Sequence, residues 1–358
     1  MDTPEAVFPV DYPDARRRFL TLAAAAGFAV ESHVHPSRRG PRGEELACDV
    51  ARLGPADARD VLLVSSGTHG VEGFCGSGCQ AALLRSPLLA KLPASTALVL
   101  VHAVNPYGFA WLRRSNEDNI DLNRNCIDHT RHPDNPGYAE IHDWLVPREW
   151  EGPARAEAEA GIARYIEERG MRAFQVALTS GQYQYPDGLF YGGISPAWSN
   201  TVWRQILRQH AGTAERLIGL DLHTGLGPRG VGEAICVTDE AEFQRARALF
   251  GEDLTWTGGA GSVSAQVGGS LFHAVQEEIG GGRATMVGLE YGTYPIPQTL
   301  EALRAETWLM ARGDPKGKQA ASIKQALKDV FYIDSPDWHQ AVLARFFELL
   351  ERLIPKLA

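Results

Sequence analysis

The stretch Val61-Leu62-Leu63-Val64-Ser65-Ser66-Gly67-Thr68-His69-Gly70-Val71-Glu72-Gly73 runs from an unbroken apolar segment straight into a glycine-flanked turn that carries a histidine and a glutamate. A short run of Val and Leu without polar alternation marks a strand covered on both faces, as in a parallel sheet. Residues 97–102, 217–222 and 285–289 form three more such runs. They are followed by Asn105-Pro106-Tyr107-Gly108, His223-Thr224-Gly225 and Glu290-Tyr291-Gly292. Parallel α/β sheets bind ligands in the crevice outside the carboxyl ends of their strands, so these four ends predict one shared site.

Between the runs lie helical stretches, and the alternation predicts an α/β fold: a mixed, mostly parallel central sheet flanked by helices on both faces. Arg16-Arg17-Arg18 and the apolar residues 19–30 imitate a targeting signal, but Asp2, Glu5, Asp11 and Asp14 precede or flank them. A helix explains the segment better, with Asp11 or Tyr12 at its cap, Pro13 in the first turn and Gly27 at its stop. Further helices are expected over 154–170, 202–210 and 338–353. Residues 180–193, rich in Gly and Tyr, read as a long ordered loop, either part of a binding site or pinned at the surface by its own tyrosines. No linker divides the chain. We expect a single domain over 1–358, with helical decorations at about 1–55 and about 300–358.

The 358 residues include 44 acidic against 35 basic side chains, a net charge of -9, with 44% hydrophobic and 22% charged residues. That composition supports a packed core and excludes a disordered or fibrous chain. The acidic balance speaks against nucleic acid or an anionic membrane as partner, since both require a field of Lys and Arg. No segment approaches the roughly 20 apolar residues of a membrane span. Five scattered cysteines, an odd number, suit a reducing cytoplasm rather than a disulfide framework. Cys75 and Cys79 have the spacing of soft metal ligands, but read more simply as small residues under a close-packed helix. Oligomeric state is not encoded legibly.

His69 and Glu72 can point to the same side of a turn and share one divalent ion. With 11 His and 44 acidic residues, about one His-x-x-acid pair arises by chance, so the context must carry the reading. His223, at another strand end, offers a third ligand. Two imidazoles and a carboxylate with an open position form the ligand set of a catalytic zinc ion. Singly, His69 reads as a solvated turn histidine and His223 as a strand-end histidine satisfied by backbone. His129 and His132 have one-turn spacing as well, without a third ligand, and read as a solvated loop.

The segment Arg114-Ser115-Asn116-Glu117-Asp118-Asn119-Ile120-Asp121-Leu122-Asn123-Arg124-Asn125 decides among these. It resembles the zinc carboxypeptidase family, whose pattern places Arg-x-Asn and Asp-x-Asn-Arg-Asn between an upstream His-x-x-Glu and a downstream His. The order His69, Glu72, Arg114, Asn123, Arg124, His223, Glu290 matches, over roughly residues 60 to 300. The Ser-Gly-Thr-His-Gly-Val-Glu-Gly-Phe block and the Gln-Tyr to Tyr-Gly-Gly loop look like an uncharacterised bacterial branch of that superfamily. Asn119 stands where many relatives have Gly, a replacement that the left-handed tolerance of Asn permits. The family's substrate-capping tyrosine has no assigned counterpart among Tyr185, Tyr291 and Tyr294.

The resemblance implies one Zn2+ per chain held by His69, Glu72 and His223. Its bound water would have a pKa near about 7. Glu290 would serve as general base, and Arg114, in preference to Arg113, would stabilise the oxyanion. Asn123 and Arg124 would hold a substrate carboxylate, and Asp121 would orient a zinc histidine. The implied substrate is a small molecule or peptide with a free carboxylate, cleaved at an amide bond as by a carboxypeptidase. An N-acyl amino acid deacylase of the aspartoacylase and desuccinylase type is the alternative, although those relatives add a C-terminal β domain and this chain reads helical after residue 300. A non-catalytic metal-binding protein is a third reading, which the retained Glu290 disfavours.

Overall fold

The computed structural model describes residues 7–259, 262, 267–280 and 282–357. In chain order its elements are α1 (Tyr12–Ala25), β1 (Ala29–Arg39), β2 (Glu45–Leu53), β3 (Asp60–Ser66), α2 (Gly73–Leu84), β4 (Thr96–His102), α3 (Pro106–Ala110), α4 (Pro136–Leu145), α5 (Pro153–Arg169) and α6 (Met171–Thr179). The second half contributes α7 (Trp198–Ala211), β5 (Arg216–Thr224), β6 (Gly232–Cys236), α8 (Glu240–Phe250), β7 (Thr255–Trp256), α9 (Leu271–Ile279), β8 (Ala284–Tyr291), α10 (Ile296–Ala311), α11 (Ala320–Phe331) and α12 (Pro336–Leu353).

The strands form one sheet in the order β1-β2-β4-β3-β5-β8-β6-β7. The four apolar runs are its centre, β4, β3, β5 and β8, and all their mutual pairings are parallel. Every residue of β3 and β4 is buried, as continuous apolar strands require. Antiparallel β2 extends the sheet beyond β4, and antiparallel β6 extends it beyond β8. The sheet is therefore mixed and mostly parallel at its core, as expected.

Helices cover both faces. On one, α1, α2, α8 and α12 pack a core that includes Phe19, Phe74, Phe250 and Phe346. On the other, α7 and α9 bury Trp203, Ile206, Phe272 and Val275 against the sheet. The approach of α2 is close: a Cβ at Gly76 would lie 2.4 Å from Ser66 Cβ. Small residues are what let this helix lie so near the strands, and Cys75 and Cys79, both buried free thiols, belong to it. A separate apolar cluster joins α4, α5 and α6 to α10 through Tyr138, Phe174, Leu178 and Leu303.

The N-terminal region departs from the expected helical decoration. Helix α1 is present, capped by the Asp11 side chain on the Asp14 N–H, but residues 29–53 are the hairpin strands β1 and β2 of the central sheet. Strand β1 is an edge, largely exposed, and carries charges and Pro36 rather than an apolar run. Edge strands are protected from further pairing by such residues, and the same residues remove the strand signal. The C-terminal region is helical, yet α12 is a layer of the core: Trp338, Val342, Phe346, Leu349 and Leu353 are fully buried. Among the described residues no helix is long and apolar enough to cross a membrane.

Candidate active site

At the end of β3 the chain turns at Gly67 and passes through His69 into a short 3-10 turn, Gly70–Glu72, that leads into α2. Gly70 is required here, since a Cβ would lie 2.0 Å from the Gly108 backbone. The close approach lets Gly70 N–H donate to Arg114 O at 3.2 Å and Val71 N–H to Arg113 O at 2.9 Å. The turn bearing His69 and Glu72 is thus tied by backbone bonds to the segment bearing the arginines. His223 is the penultimate residue of β5, and in the parallel register it pairs with Glu290 of β8.

These ends converge. Ligand atoms of buried His69, Glu72 and His223 lie within 4.8 Å of one another. His69 Nδ1 is 2.8 Å from Glu72 Oε1 and His223 Nδ1 is 2.9 Å from Glu72 Oε2, so both rings turn the same nitrogen toward one carboxylate. On the far side, His223 Nε2 lies 2.7 Å from Asp221 Oδ2, and His69 Nε2 lies 3.3 Å from Asp121 Oδ1. Carboxylates behind imidazoles fix ring orientation and raise basicity, the usual support of metal-ligating histidines. The donor set, two imidazoles and one carboxylate beside a cavity, fits a single divalent ion of the zinc type. No other group of three or more such side chains among the described residues meets that geometry. His129 instead bonds the Asn125 carbonyl and packs edge-on against His132.

Charge is concentrated here. Burial would raise the Glu72 pKa, but His69 and His223 hold it well below the usual carboxylate range. Burial would lower that of His223, but Asp221 and Glu72 hold it well above the ordinary histidine value. Asp121 is likewise kept low against burial, by Arg114 and then His69. Glu290 behaves oppositely: burial, and next the Glu72 charge, push its carboxyl up to about 7. Its Oε1 accepts from the Leu226 N–H at 3.0 Å.

The two neighbouring arginines separate. Arg113 is 3% exposed and donates to Glu306 at 2.8 Å and to Asn119 Oδ1 at 2.8 Å, a structural role. Arg114 is 19% exposed and reaches Glu72 Oε1 at 3.3 Å, Asp121 Oδ2 at 3.1 Å and His69 Nε2 at 2.8 Å. Asn119 has φ +60, the left-handed conformation that an Asn tolerates. Asn123 accepts from the Leu271 N–H at 3.0 Å, which turns its amide nitrogen toward His69 Nε2, 3.5 Å away. Arg124 is buried with its guanidinium on the Thr179 and Asn123 carbonyls, and no carboxylate of the described residues lies in ion-pair range.

A cavity of about 650 Å³ opens over the strand ends, lined by His69, Glu72, His223, Glu290, Arg114, Asn123 and Arg124 together. None of the three tyrosines considered for capping lines it: Tyr291 is buried with its hydroxyl on Val342 O, and Tyr185 stacks on His142. Two contributors were missed in the sequence. Asp221 could have been found from its i, i+2 spacing to His223 on one strand face. Phe190, from the 180–193 loop, also lines the cavity and lies 5.3 Å from Arg114 Cζ and 5.4 Å from Arg124 Cζ. Its φ of +52 is rare for an aromatic residue and had no sequence signal. The loop itself is ordered by Gln182, which bonds Tyr185 O, and by Tyr183, which bonds Arg124 O.

A family described as "Protein of unknown function (DUF2817)" matches residues 8–345. The chain belongs to the DUF2817 family. No curated protein matches this DUF2817 chain in sequence. Among solved structures, bovine thrombin-activatable fibrinolysis inhibitor in complex with tick carboxypeptidase inhibitor aligns over 97% of this chain and 96% of its own, with a TM-score of 0.51 and 10% identity. Carboxypeptidase A from Helicoverpa armigera aligns over 89% and 73%, at 12% identity and a TM-score of 0.43. An aspartoacylase family protein from Mesorhizobium loti aligns over 82% and 69%, at 16% identity and a TM-score of 0.34. The α/β fold of this chain is shared with that bovine protein.

Proposed function

We propose that this DUF2817 chain is a zinc-dependent hydrolase of amide bonds, acting on a small molecule or peptide with a free carboxylate next to the scissile amide. One observation carries the reading: buried His69, Glu72 and His223 meet in the same cavity as a glutamate whose carboxyl is pushed up to about 7. His69, Glu72 and His223 would hold the ion. When bound, such an ion supplies Lewis acidity to the carbonyl and lowers the pKa of water.

The protein side of the reaction follows from the residues. Glu290, shielded beside the ligands, takes a proton from the attacking water and returns it to the leaving nitrogen, a task suited to a carboxyl poised near the working pH. Arg114, the more open of the two arginines, donates to the oxygen that gains charge on the attacked carbonyl. Arg124 and the Asn123 amide anchor the substrate carboxylate, Arg124 being a buried cation that feels the Asp121 charge but forms no direct ion pair among the described residues, which leaves its guanidinium open to an incoming anion. Asp121 and Asp221 orient the histidines. All of these belong to one catalytic domain, and the buried free cysteines suit the cytoplasm.

The test compares zinc-loaded protein on C-terminally free peptides, their C-terminal amides and N-acyl amino acids. Turnover of the free acids with poor turnover of the amides supports the reading. Equal turnover of the amides removes the anchoring role of Arg124 and Asn123, and a protein that binds no metal in a direct metal assay removes the central claim.

A further inference from the structure

We infer that the substrate is an N-acyl amino acid whose acyl group is an extended aliphatic chain, an inference that rests on the amide-hydrolase reading above and narrows it. The cavity has two kinds of wall. Near Asn123, which is bonded to the start of α9, the lining is Ile235, Val237, Phe272 and Gly288 from the sheet edge and α9. The opposite wall is helical: Ile162 and Ile166 of α5, Phe174 and Leu178 of α6, Leu300 and Leu303 of α10. A volume of about 650 Å³ lies in the middle of the roughly 300–1,000 Å³ range of sites that enclose whole drug-sized ligands. An amino acid bearing only an acetyl group leaves much of it unfilled.

The chemistry of the helical wall selects among larger occupants. Its charged members are already paired: Arg304 with Glu159 at 2.8 Å and Glu301 with Arg155 at 2.6 Å. With Arg124 taken by the amino-acid carboxylate, a second carboxylate, as on a succinyl or aspartyl group, finds no unpaired cation among the described cavity-lining residues of α5, α6 and α10. Besides these charges the wall offers, among the described residues, only Gln175, Thr179 and Thr299 as polar side chains. A peptide laid along it would leave a series of buried N–H and C=O groups without partners, each a substantial penalty. An aliphatic chain has no such groups. Met171 and Ile296, which begin α6 and α10 and also line the cavity, are 62% and 58% exposed. Solvent-exposed apolar residues at a cavity mouth mark an entry for an apolar ligand, and a methionine adapts to a flexible one.

The experiment uses the zinc-loaded protein and N-acetyl-, N-hexanoyl-, N-lauroyl- and N-succinyl-phenylalanine. The expected kcat/KM rises by up to about fourfold per methylene until the wall is covered, with the succinyl compound poorest. In Leu178→Asp and Leu300→Asp the lauroyl-to-acetyl ratio falls at least about tenfold. The ratio is taken within one protein, so loss of folded material cancels. Turnover without chain-length preference, or with the succinyl compound preferred, overturns the inference and leaves the amide-hydrolase reading standing. Absence of turnover on every compound while C-terminally free peptides are cleaved overturns the inference and leaves that reading standing; absence on the peptides as well overturns both. Binding then decides for the cavity: a dansyl-labelled undecanoic acid is expected to bind and to be displaced by N-lauroyl- but not N-acetyl-phenylalanine, and failure to bind refutes the apolar chain site directly.

Discussion

Asp221 and His223 lie on the same face of β5 with Asp221 Oδ2 2.7 Å from His223 Nε2, and the carboxylate is held in turn by the Ser65 and Thr68 hydroxyls. The aspartate therefore fixes which nitrogen of His223 faces Glu72. Replacing it with the isosteric amide keeps the volume and removes the charge. For Asp221→Asn we expect metal affinity to drop by about 10–100-fold, measured by competition with a chelator of known affinity. Unchanged affinity would reduce Asp221 to a packing residue.

Metal content and stability should move together. The cluster of His69, Glu72 and His223 is specified by the folded chain, and an ion that binds only the native state stabilises it by an amount that grows with the logarithm of free ion over Kd, which raises the unfolding temperature. We expect about one zinc ion per chain by elemental analysis. Chelation should lower the unfolding midpoint and abolish amide hydrolysis, both restored by zinc. In His223→Ala the midpoint should no longer respond to added zinc.

The pH profile should report Glu290. A general base works only when ionised, so activity rises with pH through the Glu290 pKa. Burial and the Glu72 charge push that group up to about 7 without an ion, and a bound cation draws it down again, which places the acid limb of kcat/KM at or below about pH 7. Glu290→Gln should lose that limb, lower kcat by about 10²–10⁴-fold and still bind zinc. A variant that retains the wild-type profile would move the base role elsewhere.

What was legible in the sequence was what burial on two faces writes into it. The continuous apolar runs of β3, β4, β5 and β8 located the sheet centre, and their ends located His69, Glu72, His223 and Glu290, which the structure brings into one cavity. What burial does not write was lost. Strand β1 is an exposed edge whose His33, Arg38 and Arg39 carry no apolar period, so it reads as part of a helical decoration, while β2, though buried, has its apolar run broken by Asp49 and Arg52. Asp221 was hidden inside a run read as apolar, because a fully buried strand accepts a charged residue only where specific partners wait, and those partners come from β3 and the turn after it. Phe190 depends on a left-handed backbone conformation that no residue preference announces.

The last prediction concerns the charge network behind the arginine segment. Glu306 of α10 is buried between Arg113, 2.8 Å away, and the Lys324 ammonium of α11. Arg113 also holds Asn119 Oδ1, so the network joins two helices to the turn that carries Arg114. Burial opposes ionisation of Glu306, but Arg113 and then Lys324 keep its pKa below the usual value. A carboxyl lowered in the folded state stabilises it above the unfolded-state pKa, about 4.3 for Glu. That contribution is lost as pH falls below this value toward the folded one. Glu306→Ala leaves two buried cations without their anion, and such truncations cost about 3–5 kcal/mol, read by denaturant unfolding at neutral pH. The deficit relative to wild type should shrink as the pH is lowered through about 4.3, the ordinary value for Glu. A deficit independent of pH over that window would assign the loss to packing alone.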